Sequence, residues 1–125
     1  MAKTILIVDD SLAVRQQVSM ALKRAGFETA EASDGREGVA MVDSNRNIGL
    51  VISDVNMPNM GGLEMVEKIK SKPENKSLPI LMLTTEGQPS LIKRAKEAGA
   101  VGWIVKPFNA NQLVQTAKHL TGGIG

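Results

Sequence analysis

The chain has no cysteine and no tyrosine, one tryptophan, two phenylalanines and one histidine in 125 residues. Without cysteine there is neither a disulfide scaffold nor a thiolate metal site. A single histidine leaves too few of the usual ligands for zinc. Aromatics make up 2% of the chain and hydrophobic residues 42%, so Val, Ile, Leu, Met and Ala must fill the core. The net charge of +2 is too small to argue for a nucleic-acid surface. No apolar run approaches the ~18 residues of a membrane span. One Lys ahead of a strand-like run is not a signal peptide. These absences leave a soluble, cytoplasmic chain, expected to be a monomer, with length for one domain over residues 1–125.

The charge is uneven. Residues 1–62 carry six basic and eight acidic side chains, and residues 63–125 carry nine and five. An acidic pocket built early and a basic surface built late fit that split.

The other elements are organised around Leu50-Val51-Ile52-Ser53-Asp54-Val55-Asn56-Met57-Pro58. An apolar run closed by turn formers reads as a buried strand, with Asp54 at its carboxyl end. In an open parallel sheet, that edge is where ligands bind. Taken alone, Asp54 reads at least as well as a turn cap.

Ile5 to Val8 is a second such run, ending in Asp9-Asp10. Ser11 is placed to cap a helix through about Ala25, stopped by Gly26. Val14, Val18, Ala21, Leu22 and Ala25 share its apolar face. Phe27 to Ala32 alternates, with Glu28 and Glu31 interrupting, which suits an edge strand. Asp34 and Glu37 resemble a capping box for a helix to about Asp43.

Gly61-Gly62 opens a third helix, with Leu63, Val66 and Ile69 inward and Lys68, Lys70 and Lys72 outward. Lys72 to Ser77 reads as a loop. Ile80 to Leu83 is another buried strand, ending in Thr84-Thr85-Glu86. A fourth helix from about Pro89 to Ala98 turns Leu91, Ala95 and Ala98 inward and Lys93, Arg94 and Lys96 outward. Val101 to Val105 is the fifth strand, ending in Lys106-Pro107. Asn109 caps the last helix, with Gln112 at the reciprocal position. His119 falls on that helix's solvated side, and residues 121–125 form a frayed tail.

Five strands alternating with five helices predict an α/β doubly wound parallel sheet, covered on both faces. Two strand orders are common for such folds. In the flavodoxin-like order 2-1-3-4-5, the first and third strands are neighbours, and Asp9-Asp10 and Asp54 flank one crevice.

The strand ends then bring Asp9, Asp10, Asp54, Thr84 and Lys106 to one edge. At an effective dielectric near 20, two unit charges ~4 Å apart repel by about 4 kcal/mol. Lys106 offers one compensating charge. A hard cation with oxygen ligands offers two more, and Mg²⁺ suits such a set. Mg²⁺ and Lys together can neutralise a transferring phosphoryl group, and a carboxylate can accept it as an acyl phosphate. Each residue also has a plain structural role. Asp9-Asp10 suits a helix N-terminus, Thr84 suits a strand, and Lys106 suits a surface.

The motifs Val8-Asp9-Asp10-Ser11, Asp54 to Met60, Leu83-Thr84-Thr85-Glu86 and Val105-Lys106-Pro107-Phe108 resemble those of the receiver domain of two-component response regulators. The likeness covers nearly the whole chain, and the nearest type is the single-domain chemotaxis CheY group, with no output domain. It implies that Asp54 is phosphorylated from a phosphohistidine on a partner histidine kinase. It implies Mg²⁺ held by Asp10, Asp54 and the Asn56 carbonyl, with Asp9 acting through water. Thr84 and Lys106 would contact the phosphoryl group, and the Lys106-Pro107 bond would be cis. Asn56 and Glu86 would tune how fast water removes the phosphate, and their polarity points to a short-lived phosphate.

The same likeness implies a switch in which Thr84 moves inward and an aromatic residue turns in behind it. That residue is Trp103, where chemotaxis relatives usually have Tyr, and its larger ring is expected to turn more slowly or less fully. Thr85 replaces a commoner Ala beside that route, and Gly61 stands where relatives often have Asp. The output surface would carry Trp103, Lys93, Arg94, Lys96 and Lys118, facing an acidic helical peptide such as a flagellar motor switch segment.

Other readings are a non-chemotactic stand-alone receiver, in a phosphorelay or in motility or development, and a Mg²⁺-dependent phosphohydrolase. The second would need an acid/base two residues beyond Asp54, where Asn56 cannot serve. A flavin or nucleotide binder would need glycines after the first strand, where Asp9-Asp10-Ser11-Leu12 stands.

Overall fold

Four apolar runs and one alternating run become five strands in a computed structural model that describes residues 3–122. They are β1 (Thr4–Val8), β2 (Glu28–Ala32), β3 (Ile48–Ser53), β4 (Ile80–Thr84) and β5 (Gly102–Val105). All pair in parallel, in the order β2-β1-β3-β4-β5. The doubly wound, flavodoxin-like order is therefore the one adopted. The alternating run is the edge strand β2, while β1, β3 and β4 are buried along their whole length. Strands covered on both faces have no solvated side, so no polar alternation is needed.

The helices are α1 (Leu12–Arg24), α2 (Gly35–Ser44), α3 (Gly62–Lys70), α4 (Pro89–Ala98) and α5 (Ala110–Leu120). Strand side chains point alternately to two core layers. Ile5, Ile7, Leu50, Ile52, Leu81 and Leu83 meet Val18 and Leu22 of α1 and Leu113 and Ala117 of α5. Leu6, Val8, Val51, Ile80 and Met82 meet Val42 of α2, Met65, Val66 and Ile69 of α3, and Ala95 of α4. Burying each such side chain contributes roughly 1.5–3 kcal/mol before chain entropy is subtracted.

Helix starts follow the expected caps. Ser11, Asp34 and Asn109 accept from the backbone N–H of Val14, Glu37 and Gln112. Two details differ. The Glu37 carboxylate returns to the N–H of Ser33, one residue before the cap, at 2.6 Å. α3 has Gly61 at its N-cap and so lacks a capping side chain.

Lys70 is not an outward lysine. Its ammonium donates to the carbonyls of Asn75, Lys76 and Leu78. Burial pushes its pKa below the ordinary lysine value. The stretch Lys72 to Ser77 is more ordered than a loop. It holds a 3-10 turn at Pro73–Asn75, and buried Asn75 donates to the Ile69 carbonyl at 3.1 Å. Orphan carbonyls after α3 need donors, and these two side chains supply them.

The tail expected at 121–125 lies outside the described residues from 123 onward. No described helix is long and apolar enough to cross a membrane.

Candidate functional site

β1, β3, β4 and β5 bring Asp9 with Asp10, Asp54, Thr84 and Lys106 to the carboxyl edge, and ladder hydrogen bonds continue one residue past β1, β3 and β5. The Asp9 amide donates to Ala32, Asp54 to Val8 and Lys106 to Thr84, at 3.1, 3.0 and 2.8 Å. The backbone of each charged residue is thus held by the neighbouring strand.

Asp9, Asp10 and Asp54 each place a carboxylate oxygen within 4.8 Å of the others. Asp9 is buried, Asp54 half-buried and Asp10 exposed. The Lys106 ammonium bridges Asp9 at 2.8 Å and Asp54 at 3.3 Å, with only 15% of its own side chain exposed. Burial alone would push the pKa of Lys106 down. The hydrogen bond to Asp9 and the charges of Asp54 and Asp9 outweigh burial and raise it. The remaining lone pairs are partly used by the backbone. Ser11 N–H donates to Asp9 Oδ1 at 2.9 Å, and Val55 N–H donates to Asp54 Oδ1 at 2.7 Å. Asp10 stays open to solvent, so three carboxylates share one lysine. This all-oxygen set, with excess negative charge and one exposed member, fits a hard divalent cation.

The turn after Asp54 is packed closely. Gly62 donates to the Val55 carbonyl at 2.8 Å, and a Cβ there would meet the Asp54 carbonyl oxygen at 2.0 Å. Only glycine lets α3 begin so close to the Asp54 backbone. Asn59 holds a left-handed φ of 66° and donates to Asp34 at 2.7 Å, tying this turn to α2.

Thr84 is fully buried at the end of β4, and its Oγ1 accepts from the Glu86 N–H at 3.3 Å. The Asn56 side chain donates to the Glu86 carboxylate at 3.0 Å. Trp103 is half-buried and packs on the core layer that contains Met82 and Ala95. Its Nε1–H donates to the Glu86 carbonyl at 2.8 Å. The Lys106-Pro107 bond is cis.

The basic candidates do not share one surface. Lys93 and Lys96 are exposed on α4, and Lys118 is half-buried on α5. Arg94 lines the groove between α3 and α4 with Glu67 and Glu97. Arg94 and Lys96 flank inward Ala95 at about 100° per residue, so they lie on opposite sides of the helix. His119 is exposed, as expected.

Sequence reading missed Arg15. Its guanidinium donates to the Asp9 carbonyl and pairs with Glu31 at 3.0 Å. An arginine one turn into α1, directly behind two aspartates, was the available signal.

Five parallel strands in this order, with an aspartate cluster, a threonine and a lysine at the carboxyl edge, define a receiver domain. The family model for the response regulator receiver domain matches residues 5–118, and the chain belongs to that family. It is 38% identical over 119 residues to the Helicobacter pylori chemotaxis protein CheY1, covering 94% of this chain and 96% of that one. A CheY homolog of Campylobacter jejuni is 35% identical, covering 94% of this chain and 92% of its own. Among solved structures, Vibrio cholerae CheY4 superposes with a TM-score of 0.90 and 44% identity, over 96% of this chain and 99% of that one. A Borrelia burgdorferi CheY, solved with CheX, BeF3 and Mg²⁺, superposes with a TM-score of 0.86 at 29% identity, over 94% and 88%. The chain is a two-component response regulator receiver domain.

Proposed function

We propose that the chain is a chemotaxis-type switch that stores a phosphoryl group on Asp54. The observation that carries this is the juxtaposition of Asp54 with Asp9, Asp10 and Lys106 at one strand edge. Asp54 accepts the group from a phosphohistidine on a histidine kinase. Asp10, Asp54 and the Asn56 carbonyl would hold Mg²⁺, with Asp9 acting through water. When bound, this ion neutralises charge on the phosphoryl oxygens. Lys106 leaves Asp54 for an oxygen of the new phosphoryl group, and the Thr84 hydroxyl donates to another. Because Thr84 Oγ1 now accepts from Glu86 N–H, its movement carries the β4–α4 turn with it.

The switch alters the surface of α4, β5 and α5, which carries the positive charges of Lys93, Lys96 and Lys118 along with half-buried Trp103 and exposed Val105. An acidic helical segment of the flagellar motor switch fits that surface. The chain changes only its own phosphorylation state, and acts in the cytoplasm. A phosphohydrolase is disfavoured, because Asn56 stands at the acid/base position and its amide is spent on Glu86.

The test is intact mass after incubation with Mg²⁺ and a small acyl phosphate. One added phosphoryl group that requires Mg²⁺, and is absent in Asp54→Asn, supports the reading. No adduct, together with no binding of beryllofluoride, overturns it.

A further inference from the structure

Three hydrogen bonds meet on one residue, Glu86. Its amide donates to Thr84, its carbonyl accepts from the Trp103 indole, and its carboxylate accepts from Asn56. Asn56 lies two residues past Asp54, and Glu86 two past Thr84. Their bond therefore joins the β3–α3 turn to the β4–α4 turn beyond the strand ends. Both residues are accessible to water, Asn56 being exposed and Glu86 half-exposed. Among the described residues, no other hydrogen bond or ion pair holds the Glu86 carboxylate. Its place depends on its backbone, and the strongest side-chain tie on that backbone is the 2.8 Å bond from Trp103, against 3.3 Å for Thr84.

We propose that Trp103 is a positioning residue for loss of the phosphoryl group: its indole N–H fixes Glu86, so that the Asn56–Glu86 pair stands over the acceptor and orients the attacking water. This rests on the phosphorylation of Asp54 proposed above. In the step itself, the water oxygen forms a bond to phosphorus as the phosphorus–oxygen bond to Asp54 breaks. The Asp54 carboxylate leaves with the bonding pair. Both water protons depart on dihydrogen phosphate, which then equilibrates with solvent. Trp103 touches none of these atoms and acts only through Glu86.

The experiment follows decay of phosphorylated protein in Mg²⁺, after removal of a small acyl phosphate, for wild type, Trp103→Phe, Glu86→Ala and the double variant. Phenylalanine keeps a packed ring and removes the N–H. Loss of one such hydrogen bond is expected to slow decay about fivefold. Glu86→Ala slows it at least as much, and the double variant decays no more slowly than Glu86→Ala. A merely structural Trp103 would add its effect to that of Glu86→Ala. Unchanged or faster decay in Trp103→Phe, or additivity in the double variant, overturns the inference and leaves phosphorylation standing. A wild type that takes up no phosphoryl group overturns both.

A second measurement does not need Trp103→Phe to fold. Trp103 is the single tryptophan, so its indole N–H gives one NMR resonance. Asn56→Ala releases the Glu86 carboxylate and is expected to shift that resonance. An unmoved resonance overturns the chain of contacts.

Discussion

Two part-buried lysines mark opposite ends of the sheet and do different work. Lys106, at the carboxyl edge, faces the formal charges of Asp9 and Asp54. Lys70, the last residue of α3, faces the carbonyl dipoles of Asn75, Lys76 and Leu78. Paired carboxylates raise the pKa of Lys106 against its burial, whereas burial lowers that of Lys70. Charge opposed by charge makes an adjustable site, because any further ion placed beside it changes the balance. Charge opposed by fixed dipoles makes a clamp.

The sharpest way to break this comparison is to delete each ammonium. Lys106→Met leaves two carboxylates unpaired and is expected to destabilise the metal-free protein by about 3 kcal/mol. Added Mg²⁺ should recover part of that loss, read by urea unfolding with and without the ion. Lys70→Met strands three carbonyls and is expected to cost about 2 kcal/mol, with no recovery in Mg²⁺. Equal responses of the two variants to Mg²⁺ would erase the distinction.

Smaller effects sharpen it. Asp10→Asn removes the exposed, uncompensated member of the cluster. It should raise the metal-free melting temperature slightly while shrinking the rise that Mg²⁺ produces. The smallest effect is in pH. Lys70 binds its proton less tightly folded than unfolded, so the folded state is favoured as pH rises toward the ordinary lysine value of 10.5. Lys70→Met should flatten that part of the stability profile, and a profile identical to wild type would count against the clamp.

Much of the fold was legible because β1, β3 and β4 are covered on both faces. Such strands must be unbroken apolar runs, and each here stops at a polar residue that the crossover then places at one edge. Asp9, Asp10, Asp54, Thr84 and Lys106 could be read for that reason. What escaped reading was long side chains with a choice of direction. Lys70 turns toward the carbonyls left open after α3, and Arg94 turns toward α3 instead of β5. Arg15 reaches back to the Asp9 carbonyl. Neither pattern nor spacing tells which way a long flexible side chain will fold toward partners that only the packed structure brings within reach.

The chain alone determined the order of elements, the side-chain caps of α1, α2 and α5, and which polar residues the strand ends bring to one edge. These follow from local rules: apolar period, side-chain caps, and strands that end where hydrophobicity ends. Only the tertiary structure decided that Lys106 bridges Asp9 and Asp54, that Gly62 must lack a side chain beside the Asp54 carbonyl, and that Asn56, Glu86 and Trp103 form one connected set. Those contacts join residues 17 to 97 positions apart, or depend on ångström clearances between turns. Both are set by the packing of the strands against one another, and no local pattern encodes them.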